Sequence, residues 1–223
     1  MTKTSNLPVN PTELLKKQLA AANERVGQSD AKRVKITIAG FVDPSGSTGP
    51  ELDVTVIDYT LIHAYYDKPY DADLIIPPVC YANNRIFMEL GPHPDAPKPQ
   101  NPTCGSCAMN RFKSAPNGKA KACRNSRLLA IVPSNNIEGA PMWTFSVAPT
   151  STSRWDNYCK ELMRHNLTPM FARTKMTFEV AGTYAKPVIE LIEPLDKTGT
   201  AAAISRLDEA RELLDMVPDW SGK

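Results

Sequence analysis

Four cysteines in the middle of the chain constrain its fold more than any other feature. Cys104 and Cys107 form a Cys-x-x-Cys pair, Cys123 follows after a gap of fifteen residues, and Cys80 lies upstream in the sequence PPVC. A Cys-x-x-Cys turn holds two thiolates close together, and two further ligands complete the tetrahedron of a structural zinc site. The spacing therefore predicts one structural Zn²⁺ that ties together a long loop insertion.

The fourth ligand of this site is either Cys80 or His93. We favour Cys80, because all-cysteine sites are common and Pro77 and Pro78 stiffen the chain before it. Three cysteines and one histidine would be equally sound chemically. An iron–sulfur cluster uses the same ligands, so the sequence leaves the choice of metal open. Cys159 lies in a predicted helix and is expected to pack in the core.

Redox and disulfide chemistry fit these cysteines less well than metal binding does. A redox Cys-x-x-Cys normally follows a strand and opens a helix, whereas this pair lies between two loops. Disulfide bonds are typical of secreted proteins, and no signal peptide is recognisable. No apolar run approaches the ~20 residues of a membrane span. We therefore expect a cytoplasmic protein with no membrane partner.

The cysteine-containing stretch is also basic, although the whole chain has a formal net charge of only +2. Between residues 98 and 127 there are seven Lys or Arg residues and no Asp or Glu. Fixed cations suit a polyanion, and an aromatic ring among cations suits stacking on an unpaired base. A merely solvated loop is the alternative. The predicted contacts with nucleic acid are Arg111, Phe112, Lys113, Lys119, Lys121, Arg124 and Arg127.

Other aromatic side chains are weaker candidates for base stacking. Packing at a sheet edge or in the core would explain them about as well as a contact with nucleic acid. These weaker candidates are Tyr65, Tyr66, Tyr81 and Trp143.

The hydrophobic pattern predicts a β-rich chain with a few helices. We expect strands at 33–39, 52–66, 128–132, 142–147, 170–180 and 184–192, and helices at 13–26, 152–165 and 201–216. If one of the two short strands, 128–132 or 142–147, is only an extension, the order is three strands, a helix and two strands. That is the order of a five-stranded OB-fold barrel. The insertion then lies between the second and third main strands.

The predicted fold class is therefore a β-rich α+β fold, an OB-fold-like barrel with a zinc-binding loop insertion and flanking N- and C-terminal helices. An N-terminal arm and helix occupy 1–30. The OB-like domain spans 31–195, with the zinc-binding insertion at about 77–126. The C-terminal helix and tail occupy 196–223.

Three segments together resemble a family of tailed-phage replication-region proteins with a four-cysteine zinc site. The segments are PPVCYANN at 77–84, CGSCAMNRFKSAPNGKAKACRNSRLLAI at 104–131 and VAPTSTSRWDNYCKEL at 147–162. The resemblance covers most of 33–192 and implies a single-stranded-DNA-binding protein of the host cell cytoplasm. It also implies the ligand set Cys80, Cys104, Cys107 and Cys123.

The leading functional hypothesis is a sequence-independent single-stranded-DNA-binding protein of phage DNA replication or recombination, with no enzymatic activity. From Ser205 to Lys223 the chain has five acidic and three basic residues and includes Trp220. This segment is expected to dock replication or recombination proteins or to pack as an amphipathic helix. The oligomeric state and the preference for DNA over RNA are left open.

Two alternative functions share parts of this evidence. A zinc-stabilised protein-interaction or transcription-regulating module would have the same metal site. A metal-dependent nuclease would need clustered carboxylates or histidines. The compact acidic set outside the C-terminal helix is Asp67, Asp71 and Asp73, and a solvated loop explains it equally well.

Overall fold

Alternating apolar residues form one curled, half-barrel-like sheet in the computed structural model, which describes residues 32–68 and 76–220. The strands are β1 (Arg33–Thr37), β2 (Gly40–Val42), β3 (Thr48–Gly49), β4 (Leu52–Tyr65), β5 (Cys80–Asn84), β6 (Cys123–Pro133), β7 (Trp143–Val147), β8 (Ala172–Ala181) and β9 (Tyr184–Pro194). The helices are α1 (Thr152–Arg164), α2 (Lys197–Ser205) and α3 (Leu207–Leu214). The predicted β-rich α+β class is confirmed at this level.

The long strand β4 organises the sheet, whose order is β3-β2-β1-β7-β6-β4-β8-β9. One edge of β4 pairs with β6 from Val54 to Tyr65. The other edge pairs first with β8, over Leu52 to Thr55, and then with β5, over Leu61 to Tyr65. All these pairs are antiparallel, whereas β1 and β7 run parallel. A single strand thus spans the barrel and the segment that carries Cys80.

A β-bulge in the middle of β4 changes which residues face the barrel interior. The register with β6 shifts between Val56 and Asp58. Val54 and Val56 pack into the first hydrophobic core together with Tyr59, whereas Ile57 packs into a second core. One extra residue in a strand reverses the alternation of all later side chains. Inward-facing positions are therefore even-numbered before the bulge and odd-numbered after it.

Two hydrophobic cores cover the two faces of the sheet. In the first core, Trp155, Tyr158 and Leu162 of α1 pack onto the barrel interior, and the Tyr158 hydroxyl lies 2.6 Å from Thr174 Oγ1. In the second, α2 and α3 cover the outer face of β4 and β6. Fully burying one large apolar side chain contributes about 1.5–3 kcal/mol, so both layers stabilise the sheet.

The prediction of a single C-terminal helix over 201–216 is wrong, because two shorter helices are present. Asp196 Oδ1 accepts a hydrogen bond of 2.7 Å from the Gly199 backbone N–H, which caps α2 and starts it at Lys197. The chain bends at Arg206, whose Nη1 donates to the carbonyl oxygens of Ile137, Glu138 and Ala140. This tertiary anchor separates α2 from α3.

The expectation that 128–132 or 142–147 is only an extension is also wrong. β6 extends from Cys123 to Pro133 and lies between β4 and β7, and β7 joins β6 to β1. The polar residues that precede Leu128 pair with β4 and so lengthen β6 beyond its apolar run.

The arm and the helix predicted at 13–26 lie outside the described residues. No helix within 32–68 and 76–220 is long and apolar enough to cross a membrane.

Candidate functional site

Two of the four cysteines are brought to one face of the sheet by their strand register. Tyr65, at the end of β4, pairs with Cys80 of β5 on one side and with Cys123 of β6 on the other. Directly opposed residues in a sheet point to the same face. The side chains of Cys80 and Cys123 therefore share a face and lie on either side of Tyr65.

The Cys-x-x-Cys pair lies over this face and closes a small cavity. All four thiols line it, together with His63, Tyr65 and Asn110, and its volume is about 10 Å³. That space holds about one water-sized atom. The loop is fixed by two hydrogen bonds, from Cys104 N to Leu90 O at 2.8 Å and from Asn110 Nδ2 to Cys104 O at 2.8 Å.

Burial raises the pKa of three of these thiols, those of Cys80, Cys104 and Cys123. Burial raises the pKa of Cys104 to about 11 and of Cys123 to about 12, and the neighbouring cysteines add to both shifts. Burial also raises the pKa of Cys80, against the effect of a backbone hydrogen bond from Gln100. A metal ion reverses this balance, because thiols bind it as thiolates.

The donor set suits a thiophilic metal ion, although its arrangement is not that of a metal site. Among residues 32–68 and 76–220, no three His, Cys, Asp or Glu side chains have the arrangement that holds a metal ion. Two buried polar atoms beside the cavity, His63 Nδ1 and Asn125 Oδ1, have no hydrogen-bond partner, and their residues pair directly across the ladder. Four sulfur donors and unsatisfied polar atoms fit a bound ion better than a purely apolar core.

His93, the rival fourth ligand, lies outside this cavity. Its backbone N–H donates to Tyr81 O at 2.7 Å, and its ring centroid is 5.7 Å from that of Trp220. His63, which is not among the predicted ligands, lines the cavity instead. Its face is set by the bulge in β4, so no local signal in the sequence identifies it.

An exposed aromatic ring lies among the cations of the basic loop. Phe112 is 76 % exposed, and Lys121 Nζ lies 5.2 Å from its ring centroid. Lys121 Nζ also donates to Asn110 Oδ1 at 3.1 Å, which ties it to the loop that carries the cysteine pair. Other exposed cations of the same loop are Arg111, Lys113 and Lys119.

The two arginines of β6 have different surroundings. Arg124 is exposed, and its guanidinium carbon lies 5.1 Å from the centroid of the Tyr66 ring. Arg127 donates from Nε and Nη2 to the two carboxylate oxygens of Asp156, at 3.2 and 3.1 Å. The side chain of Arg127 is only 16 % exposed. Arg124 is therefore presented to solvent, whereas Arg127 joins β6 to α1.

Three of the weaker aromatic candidates contact other parts of the protein. Tyr65 lines the cysteine cavity, and Trp143 packs against the first core. Tyr81 is buried, and the ring of Trp220 packs edge-on against it at a centroid distance of 6.4 Å. Trp220 Nε1 donates to Pro78 O at 2.7 Å. Residues 215–220, here called the C-terminal strap, thus cover this face of β5.

A turn after β5 presents three consecutive apolar side chains that sequence reasoning did not single out. Ile86, Phe87 and Met88 are all exposed. The signal was the apolar run IFM, which lies outside any predicted strand or helix.

The acidic set considered for a nuclease is only partly described. Asp67 Oδ2 lies 3.9 Å from Lys98 Nζ, an ion-pair distance. Asp71 and Asp73 lie outside the described residues.

No protein-family model, no curated protein and no solved structure matches this chain. Its function is therefore inferred from its own residues and geometry.

Proposed function

We propose that this chain is a sequence-independent single-stranded-DNA-binding protein of phage DNA replication or recombination, carrying one structural Zn²⁺. The observation that carries the proposal is the exposed Phe112 ring with the ammonium group of Lys121 over it, within a basic loop. Single-stranded nucleic acid is bound by cations that follow the phosphates and by rings that stack on the bases. This chemistry needs no base-specific hydrogen bonds, so the binding is independent of sequence.

Uncompensated positive charge supports this proposal. Of the seven cations between residues 98 and 127, Lys98 and Arg127 pair with Asp67 and Asp156. The other five have no acidic partner in the described part of the chain. Cations without acidic partners are free to neutralise phosphates and to release the counterions condensed on them. These five are Arg111, Lys113, Lys119, Lys121 and Arg124.

The strand order supports an OB-fold-like barrel as the finer description of the fold. β4, β6 and β7 form an antiparallel meander, α1 follows, and the hairpin of β8 and β9 returns to pair β8 with β4. On this assignment β1 to β3 are an addition at one edge, and β4 and β6 are the first two barrel strands. The loop between those two strands borders the oligonucleotide site of OB-folds. Here that loop is the cysteine-containing basic insertion.

The zinc in this proposal is held by Cys80, Cys104, Cys107 and Cys123. Four sulfur ligands leave no open coordination position, so the ion would fix the fold and take no part in a reaction. It would join β5 and β6 to the Cys-x-x-Cys loop and so hold Lys121 and Phe112 in place. Because the unfolded chain has no preformed site, the free energy of metal binding adds directly to the stability of the fold.

The phage setting rests on the resemblance of three segments, at 77–84, 104–131 and 147–162, to the family of phage replication-region proteins. It places the protein in the host cell cytoplasm with replication or recombination proteins as partners. The C-terminal strap is occupied by its contacts with β5, so such a partner would have to displace it or bind elsewhere.

Titration with labelled single-stranded and duplex oligonucleotides at several salt concentrations tests this function. We expect single strands of different sequence to bind alike, more tightly than duplex, and less tightly as salt rises. Absence of binding to any oligonucleotide would contradict the proposal and favour a protein-interaction module. Cleavage of the probe with added Mg²⁺ or Mn²⁺ would favour a nuclease instead.

A further inference from the structure

Three neighbouring apolar side chains are held in solvent on the turn that follows β5. Ile86 and Phe87 are each 52 % exposed, and Met88 is 84 % exposed. Isolated exposed apolar residues are common on protein surfaces, whereas contiguous ones mark an interaction site. We refer to these three residues as the 86–88 turn.

Local hydrogen bonds fix this turn, so its exposure does not come from a loose loop. The Ile86 backbone N–H donates to Asn84 Oδ1 at 2.8 Å. Glu89 N and Leu90 N donate to the carbonyl oxygens of Ile86 and Phe87, at 3.1 and 3.2 Å. Leu90 is buried and anchors the end of the turn. A rigid apolar surface loses little conformational entropy when it binds a partner.

The 86–88 turn lies close to the cations that are proposed to bind phosphates. The Phe87 ring meets the His63 ring edge-on at a centroid distance of 6.5 Å. Lys121 Nζ donates to Asn110 Oδ1, and Asn110 lines the cysteine cavity together with His63. Lys121 in turn lies over the Phe112 ring. Phe87 and Phe112 are therefore linked through side chains at one cavity, since Phe87 contacts His63 and Lys121, beside Phe112, is bonded to Asn110.

We propose that the 86–88 turn is a second base-stacking surface, which contacts bases of the same single strand whose phosphates the basic loop binds. This inference rests on the proposed function. The adjoining charge indicates what binds to this turn. A basic loop that contains no acidic residue attracts a polyanion, and it does not attract an uncharged apolar partner in the same way. Every base has a π face, so Phe87 and the thioether of Met88 can pack on bases of any sequence.

Binding of fluorescein-labelled oligothymidylate to full-length variants tests this assignment. Stacking by one aromatic side chain corresponds to about a 5- to 150-fold change in affinity. We expect Phe87→Ala to weaken binding by that factor and Met88→Ala to weaken it less, with the salt dependence unchanged in both. Met163→Ala is the matched control, because Met163 is exposed on α1, and it should bind like the wild type.

A ring-preserving variant makes the test independent of folding defects. Phe87→Trp should retain wild-type affinity, and its additional tryptophan fluorescence should be quenched by the oligonucleotide. If the wild type binds and Phe87→Ala binds equally well, the stacking role is wrong while the proposed function stands. The stacking role is also wrong if Phe87→Ala changes only self-association in sedimentation. If the wild type does not bind, the proposed function itself fails.

Discussion

Cys80 and Cys123 pair with the same residue, Tyr65, from opposite sides of β4. They are separated by 42 intervening residues in the sequence, yet their side chains share one face of the sheet. The pair forms one wall of the cysteine cavity, and the Cys-x-x-Cys loop forms the other. Metal binding would therefore join elements that otherwise meet through hydrogen bonds and through the small apolar cluster of Leu61, Ala82, Leu90 and Cys104.

The first prediction concerns the metal. We expect about one zinc per chain in purified protein, and we expect Cys80→Ser to lose it, because three thiolates cannot close a structural tetrahedron. Elemental analysis and thiol titration measure both. Cys159→Ser is the control and should retain the metal, since Cys159 packs against the first core. Stoichiometric iron, or loss of zinc in His93→Ala, would contradict this prediction.

The second prediction concerns charge. Replacing Arg111 and Lys119 with Gln should weaken binding to all single strands alike. The log–log salt slope should become shallower by about 1.4, because each phosphate contact contributes about 0.7. Oligonucleotide titrations at several salt concentrations measure the slope. Lys160→Gln with Lys197→Gln removes the same charge from exposed helix positions and should leave the slope unchanged. Equal effects in the two double variants would show that only net charge matters.

The third prediction separates stacking from charge at the exposed ring of the basic loop. Phe112→Ala should cost about 1–3 kcal/mol of binding free energy and leave the salt slope as in the wild type. Phe112→Tyr keeps a π face and should bind nearly as well. The same titrations measure both variants. A large change in slope in Phe112→Ala would mean that the ring acts by positioning Lys121.

The fourth prediction assigns Arg127 to stability. Its two-pronged contact with Asp156 is largely shielded from solvent on the arginine side. Arg127→Gln should lower the free energy of unfolding by roughly 1–2 kcal/mol, measured by urea denaturation. Its salt slope for oligonucleotide binding should stay unchanged. Arg124→Gln should show the opposite pattern, and a stable Arg127→Gln with a shallower slope would refute the assignment.

Local pattern predicted most strands because period-2 alternation depends only on neighbouring residues. It could not predict the direction of His63, because the bulge after Val56 reverses the alternation and leaves no mark in the composition of β4. His63 was therefore not among the predicted ligands, although it lines the cysteine cavity. Only the pairing of β4 with β6 reveals the shift.

Other differences arose from contacts between distant parts of the chain. The break between α2 and α3 depends on carbonyl groups at residues 137–140, which accept from Arg206. Burial of Tyr81 depends on Trp220, far along the chain. The spacing of Cys104 and Cys107 predicted one half of the cysteine cluster, whereas the placement of Cys80 beside Cys123 depends on the strand register on both sides of Tyr65.

The continuity of β4 has a consequence for the opening motions of the protein. Val54 and Val56 lie in the first core, and Tyr65 lies between two cysteines on the same uninterrupted strand. Backbone amides on one rigid element tend to exchange with deuterium through a common cooperative opening. Occupancy of the cysteine cavity should therefore slow exchange at Val54 and Val56 as well as beside Tyr65. The two ends of β4 would then open together as one foldon. Metal binding at the cysteines would therefore slow hydrogen exchange along the whole of β4.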